Sequence, residues 1–428
     1  MSIVHQQDLF LHPDPDRVVL RAFRPTVEPR ELNALDQGRA NHIVARVCGL
    51  SKAETATLLA DTMTVFGGRH RNLLGVFDAR AREMESVFTL HAPFTEAQRS
   101  LIGAYFVQEN TFEAAALFNP SIVPHPDQSG VATGSLRFVL SLRAVGEGHV
   151  SSIVFRSGVI DQDGAVTLDP PSPFASMPMI RERIGDTFEI GFDRESDIGE
   201  RILYPITHAQ SNGIEDARFV RLEEGDGPVY YATYTAYNGR SIRSELLETR
   251  DFLSFRMTPL QGRSAGNKGM ALFPRKIAGR YAMIARQDNE NLYLVTSDDL
   301  YNWDDGVPMM EPKYAWEFVQ IGNCGAPIEL DEGWLLFTHG VGVVRSYAIG
   351  AVLLDKTDPS KVIGRTCQPL ISPVAPRRGG YVPNVVYTCG ALRHRELIVM
   401  PYAVLDTSCA FATMRIDELL AVLDEGIG

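Results

Sequence analysis

Apolar, strand-like runs recur along most of the chain at intervals of about 50 residues, and this spacing constrains the fold more than any other feature. Each run follows a glycine or charged turn, as in GPVYYATYTAYNG, GRYAMIARQDNENLYLV, EGWLLFTHGVG and RELIVMPYAVLD. Val229, Tyr281, Trp334 and Leu397 hold equivalent places, 52, 53 and 63 residues apart. An earlier run, LRFVLSLRAV, fits the same slot, separated by a longer interval that includes 157–212. A second pattern repeats 48 residues on: Thr249, Asp251, Phe252 and Phe255 match Ser297, Asp299, Leu300 and Trp303. A single small sheet cannot bury both of its faces. Stacking such sheets around an axis buries them and leaves only short edges. Five slots predict an all-β five-bladed β-propeller over residues 118–428, with a β-sandwich of chance similarity as the alternative. The tail ATMRIDELLAVLDEG predicts a closing strand and a short C-terminal helix.

Residues 1–117 read as an N-terminal α-helical extension, with helical signals over 28–117. Ser51 with Glu54 forms a capping box, and Thr95 with Gln98 repeats it. Leu58, Leu59, Met63 and Phe66 keep helical spacing, as do Leu101, Ile102, Tyr105 and Phe106. Gly67 and Gly68 break the first run. The basic cluster GRHR at 68–71 is either a solvated helix end or an arm reaching a site.

A formal net charge of −12 argues against a nucleic-acid or anionic-membrane surface. A small basic pocket against that background would mark an anionic ligand. No apolar stretch approaches about 18 residues, and the N-terminus lacks a signal-peptide pattern, so the expected location is the cytoplasm. Five widely spaced cysteines without C-x-x-C fit free thiols in a reducing compartment. The histidines lack metal-ligand spacing, and no phosphate loop, dinucleotide fingerprint or nucleophile elbow occurs. The expectation is therefore no metal and no cofactor.

In a propeller the substrate meets the mouth of the central channel. Polar residues embedded in apolar strand runs are thus the candidates for chemistry. Asn212-Gly-Ile-Glu215-Asp216-Ala-Arg218-Phe219 places two carboxylates and a guanidinium where a blade begins. Glycosidic cleavage needs an acid to protonate the leaving oxygen. The alternative for this octapeptide is a surface turn with an Asp/Arg ion pair. Arg143 in LSLRAV, Lys268 after Gly266-Asn267, Lys276 in LFPRK, Arg286 in YAMIAR, His339 in LLFTHG and Tyr347 form a second group. Cations inside apolar strands are costly unless paired or aimed at an anion. Singly, each suits an internal salt bridge; together, recurring at the same point of successive blades, they suit a phosphate or carboxylate site.

Five blocks of the sequence resemble the glycoside phosphorylases of glycoside hydrolase family 130: FNPSIVP (118–124), GIEDARF (213–219), NKGMALFPRKIAGRYAMIAR (267–286), GAPIELDEGWLLFTHG (325–340) and YAIGAVLLDKTDPSKVIGRT (347–366). The resemblance is collinear over roughly 118–410. It implies a five-bladed propeller that phosphorolyses β-mannosides with inversion and releases α-mannose 1-phosphate. It implies Asp216 as general acid, relaying its proton through the mannose 3-hydroxyl. It implies Asn119, Ser121 and Arg143 as sugar- and phosphate-side contacts, with Glu215 and Arg218 beside them at the substrate. Lys276, His339 and Tyr347, with Lys268 and Arg286, resemble the phosphate-binding set. The family usually has Glu-Asp-Pro-Arg where this chain has Ala217. Longer relatives carry helices that support oligomers, so residues 1–117 are expected to assemble a homo-oligomer.

The expected partners are a β-mannoside and inorganic phosphate. Phosphate is itself the nucleophile, so one carboxylate, protonated Asp216, suffices. An inverting β-mannosidase with Glu215 or another acid as base is the first alternative. A non-catalytic glycan-binding propeller is the second.

Overall fold

The computed structural model describes residues 3–23, 38–85, 93–373 and 380–423. Its contacts divide the chain into two units: Met1–Pro15 with Phe112–Ser172 and Ser176–Gly428, and Asp16–Thr111 with Pro173–Ala175.

The larger unit is built of antiparallel meanders of four strands. The first runs Ala116–Pro124, Leu136–Val145, Ser151–Ile160 and Val166–Leu168. The second runs Gly213–Glu224, Gly227–Tyr237, Ile242–Thr249 and Ser254–Pro259. One parallel bridge, Gly213 to Ser151, merges these two into a single sheet. The third comprises Ala271–Leu272, Tyr281–Ala285, Leu292–Ser297 and Val307–Met310. The fourth comprises Gln320–Asn323, Trp334–Val341, Tyr347–Leu354 and Val362–Arg365. The fifth comprises Val386–Tyr387, Leu397–Val404 and Ser408–Arg415, completed by His5–Leu11 from the other end of the chain.

The sequence repeat therefore equates the second strands of the meanders: Val229, Tyr281, Trp334 and Leu397 all lie on them, as does LRFVLSLRAV. The second repeated pattern is a side-chain-capped turn. Asp251 Oδ1 accepts the Leu253 and Ser254 N–H groups, both at 2.9 Å. Asp299 Oδ1 accepts those of Tyr301 and Asn302, at 2.7 and 2.9 Å. A short acceptor that satisfies two turn N–H groups explains why aspartate recurs there. Phe252 and Leu300, each following its aspartate, are buried.

Apolar clusters lie between meanders. Phe155, Phe219, Phe252 and Phe255 pack ring on ring between the first and second. Phe273, Ile284, Trp334 and Leu336 join the third to the fourth. Phe337, Ile349, Met400 and Ala412 join the fourth to the fifth.

The smaller unit holds helices Arg39–Cys48, Lys52–Phe66, Leu73–Glu85 and Glu96–Tyr105, with Val18–Ala22 paired to Val107–Thr111. Both capping boxes form: Ser51 Oγ accepts the Glu54 N–H at 3.2 Å, and Glu54 returns to the Ser51 N–H at 2.8 Å. The helix from Lys52 ends at Phe66, before the two glycines. The 68–71 cluster is engaged locally, Arg69 and His70 with Glu109 at 3.1 and 2.8 Å and Arg71 over the Phe174 ring at 4.6 Å. Residues 28–37 and 86–92 of the expected helical stretch lie outside the described residues. The units do not divide at 117/118: the smaller one ends at Thr111 and takes in Pro173–Ala175. Residues 1–15 belong with the larger unit, because His5–Leu11 pairs with Ser408–Arg415 and covers an otherwise open sheet edge.

Candidate active site

Two strands of the larger unit each carry one residue too many. Phe118 pairs with Arg143 and Ser121 with Ser141, so three steps along one strand face two along the other. Glu215 pairs with Thr235 and Arg218 with Thr233, again three against two. The surplus makes a β-bulge, which turns a side chain out of the sheet's alternation. At each bulge one residue adopts a left-handed backbone: Asn119 with φ 50° and Asp216 with φ 56°. Asparagine and aspartate accept that conformation at lower cost than other side chains. The two re-aimed side chains meet, Asn119 Nδ2 donating to Asp216 Oδ1 at 2.7 Å. Ser121 Oγ accepts the Phe219 N–H at 3.0 Å and ties the two bulged strands together. Ala217 lies inside the bulge, out of ladder register. Proline is tolerated at bulges, so alanine and proline both suit this place.

Asp216 opens onto a cavity of about 510 Å³, lined also by Asn119, Arg143, Lys268, Arg286, His339 and Tyr347. Seven of the expected site residues thus converge. Arg143 is matched by acids, donating to Glu215 at 2.7 Å and to Asp216 at 3.3 Å. Lys268 Nζ lies 4.0 Å from Glu215. Arg286 is different. It is 6% exposed, its Nε has no hydrogen-bond partner, and no ion pair to a carboxylate reaches it among the described residues. His339 packs on the rings of Tyr347 and Tyr387, with centroids 5.9 and 4.8 Å away, and those two rings also meet at 6.5 Å. Gly322 gives it room: a Cβ there would stand 2.2 Å from the imidazole Cε1. Burial, then the charges of Arg286 and Arg218, hold His339 well below the usual histidine range, which favours the neutral ring. Among the described residues, no three of His, Cys, Asp and Glu group as a metal site.

A family model described as beta-1,4-mannooligosaccharide phosphorylase matches residues 186–425, more than half of the chain. The chain belongs to glycoside hydrolase family 130. A 1,2-beta-oligomannan phosphorylase of Thermoanaerobacter sp. (strain X514) is 34% identical over 218 residues, 50% of this chain and 72% of that protein. A beta-1,2-mannobiose phosphorylase of Listeria innocua is 32% identical over 231 residues, 52% of this chain and 63% of that protein. The solved beta-1,2-mannobiose complex of a Listeria innocua beta-1,2-mannobiose phosphorylase superposes with a TM-score of 0.53 at 23% identity, covering 73% of this chain and 93% of that one.

Within this family 130 site, four expected residues stand outside the cavity wall. Lys276 is exposed, its ammonium 4.2 Å from the centre of the Tyr281 ring. The strand Ala271–Leu272 is only two residues long, so Lys276 falls in the turn beyond it. It is not among the residues that line the cavity. Ser121 is fully buried as a strand tie. Glu215 sits behind Arg143 as its counter-charge. Arg218 braces the floor, donating to the Asp216 carbonyl at 2.9 Å and to the Tyr387 hydroxyl at 2.7 Å.

The charges around Asp216 favour its carboxylate form. Burial raises its proton affinity, but Arg143, Arg218 and Lys268 together outweigh that and hold it at about 2. Asp216 is thus a carboxylate at neutral pH until the local positive potential falls.

Sequence reading missed Gln320, Arg345, Asn384, Tyr387 and Asp406, all of which line the cavity. Asp406 follows Leu405, and both have left-handed backbones, φ 47° and 56°. Its buried Oδ1 has no hydrogen-bond partner among the described residues. Burial, then repulsion from Asp216, raises it to about 7 against the pull of Arg143 and Arg345. In the sequence, Leu405-Asp406-Thr407 shows only an ordinary turn aspartate after an apolar run.

A stability consequence follows from linkage. Between about pH 4 and pH 7 the folded state keeps the Asp406 proton that the unfolded chain releases, so native stability falls across that window. Asp406→Asn escapes this loss. Its advantage over the wild type should widen from pH 4.5 to pH 8, by on the order of 2 kcal/mol. Thermal unfolding at both pH values measures it, and a constant difference would mean that the carboxylate is already compensated.

Proposed function

We propose that the chain is an inverting hexosyltransferase-type phosphorylase that cleaves β-mannosides with inorganic phosphate to α-mannose 1-phosphate, on a five-bladed propeller. Support for the closed ring comes from the last apolar cluster, in which Ala116, Phe118 and Val145 of the first meander pack with Tyr387 and Ala403 of the fifth. The N-terminal strand then serves as the seam.

The observation that carries the reaction is Arg286, a buried guanidinium that no carboxylate pairs with among the described residues. Holding an unmatched charge out of water costs several kcal/mol. A phosphate dianion compensates it, and Lys268, His339 and Tyr347 stand around the same cavity. Arg345 adds a further cation at the lining. In this reading phosphate lies on the α-face of the reacting mannose. A phosphate oxygen attacks C1 as the glycosidic C1–O bond breaks, and the electron pair leaves with that oxygen. Asp216 supplies the proton, through the mannose 3-hydroxyl. Phosphate also prepares the acid: its two negative charges offset the cations that keep Asp216 ionised, so proton uptake accompanies phosphate binding. The reaction balances with no second carboxylate and no resident cofactor. The same reading places the protein in the cytoplasm and assembles it as a homo-oligomer through the helical residues.

Asp406, a second carboxyl in the cavity, gives hydrolysis its footing as a second reading, since water needs a base. Incubation with β-1,2- and β-1,4-mannobiose, with and without phosphate, decides between them. Phosphorolysis yields mannose 1-phosphate in proportion to added phosphate. Free mannose released equally in its absence would establish the hydrolase.

A further inference from the structure

Two connections between paired strands trace the same path. Gly146–Val150 joins Leu136–Val145 to Ser151–Ile160, and Gly342–Ser346 joins Trp334–Val341 to Tyr347–Leu354. In each, the first glycine N–H donates to the fifth residue's carbonyl, at 3.2 Å for Gly146 and 2.9 Å for Gly342. Gly146 has φ −109° and ψ −157°; Gly342 has φ −106° and ψ −154°. The third and fourth residues are left-handed in both: Gly148 (φ 71°) with His149 (φ 58°), and Val344 (φ 53°) with Arg345 (φ 53°). Glycine at the third place adopts this backbone freely. Valine does not, because its branched Cβ crowds the chain there.

Core packing does not explain the valine. Val344 is 86% exposed and Val343 81%. The neighbouring segment adds two more apolar side chains, Phe318 at 67% and Val319 at 59%. It lies alongside, since the Val319 N–H donates to the Val341 carbonyl at 3.0 Å. Val344 and Gln320 also line the cavity that holds Asp216. An unpacked side chain that strains its own backbone at a cavity mouth marks a place selected for what passes it.

We propose that Val344, with Val343 and Phe318, forms an apolar lip that packs against the C–H face of the sugar on the leaving-group side. The proposal rests on the phosphorolysis reading above. In that reading the reacting mannose and phosphate occupy the part of the cavity at Asp216 and Arg286, and Gln320, Arg345 and Asn384 add polar groups elsewhere in its lining. The next sugar of a β-linked chain must then cross the rim. A pyranose presents ring C–H groups on its faces and hydroxyls around its edge. Methyl groups can take the face out of water while the edge stays hydrated. A second copy of this chain is the other occupant such a patch could take, and the experiment separates the two.

Val344→Gly uses the residue that the matching loop already has at Gly148, so the turn is kept and thermal unfolding shifts upward by a few degrees. Its KM for β-mannobiose should rise about fivefold, with KM for phosphate unchanged. In the synthetic direction KM for the acceptor sugar should rise, and that for mannose 1-phosphate should not. Val343→Ser/Phe318→Ser should do the same without altering the strained residue. Unchanged mannobiose KM in both variants overturns the lip. So does a shift in sedimentation of the double variant with KM unchanged, which would assign the patch to contact between copies. If the wild type shows no phosphate-dependent turnover, the phosphorolysis reading fails separately. Calorimetric binding of mannobiose then judges the lip: weaker binding in the variants sustains it, and equal binding overturns it.

Discussion

Asp216→Asn should lower kcat by about 10²–10⁴-fold while mannobiose still binds. The substitution keeps the shape of the side chain and its bond from Asn119 Nδ2, which now meets an amide oxygen. It removes the group placed to give a proton to the leaving oxygen. It also removes a negative charge beside Arg143, Arg218 and Lys268. Phosphate should therefore bind the variant at least as tightly as it binds the wild type. Turnover measured by mannose 1-phosphate release, with calorimetry for both substrates, tests this. Turnover within a few-fold of the wild type would take Asp216 out of the chemistry. The pH dependence has a matching sign. With phosphate absent Asp216 sits at about 2. Phosphate should displace its titration upward, so phosphate binding at neutral pH should take up protons, seen as a buffer-dependent binding enthalpy.

Arg286→Met should separate stability from function. The cavity wall there holds a 6% exposed guanidinium that no carboxylate among the described residues pairs with directly. Methionine keeps the volume of the stem and abolishes the buried charge. The fold should gain about 1–3 kcal/mol. KM for phosphate should rise on the order of 10²-fold, the scale of losing one buried charge-assisted contact. KM for the mannoside should change far less. His339 reports the same change, because Arg286 is one of the charges that keep its proton off. Removing that charge should move the imidazole titration upward, which NMR can follow. A variant that is less stable than the wild type, with phosphate KM intact, would mean that Arg286 is a structural cation satisfied by the fold.

The two predictions rest on different kinds of information. Asp216 is legible in the sequence because two carboxylates and a guanidinium stand out where an apolar strand begins, and Asn119 through the family resemblance of FNPS. What their strands do at those points is also local: one surplus residue against a pairing partner makes the bulge that turns both side chains out of the sheet. Lys276 shows the limit of such reading. It shares a run with genuine wall residues, yet a two-residue strand leaves it in the following turn, over Tyr281. Asp406 lies in a turn whose approach to Asp216 no spacing reveals, because 190 residues separate them in the chain.

By itself the sequence determined the repeat, the second strand of every meander, the aspartate-capped turns and the two capping boxes. Those features depend on neighbours within a few residues, where alternation, turn chemistry and helix ends act. Only the tertiary structure decided which charges are matched. Arg143 is answered by Glu215 and Asp216, whereas no carboxylate among the described residues pairs with Arg286, although both sit in similar apolar runs. Electrostatic balance depends on distance and burial in space, and these are set by how the sheets pack rather than by position along the chain.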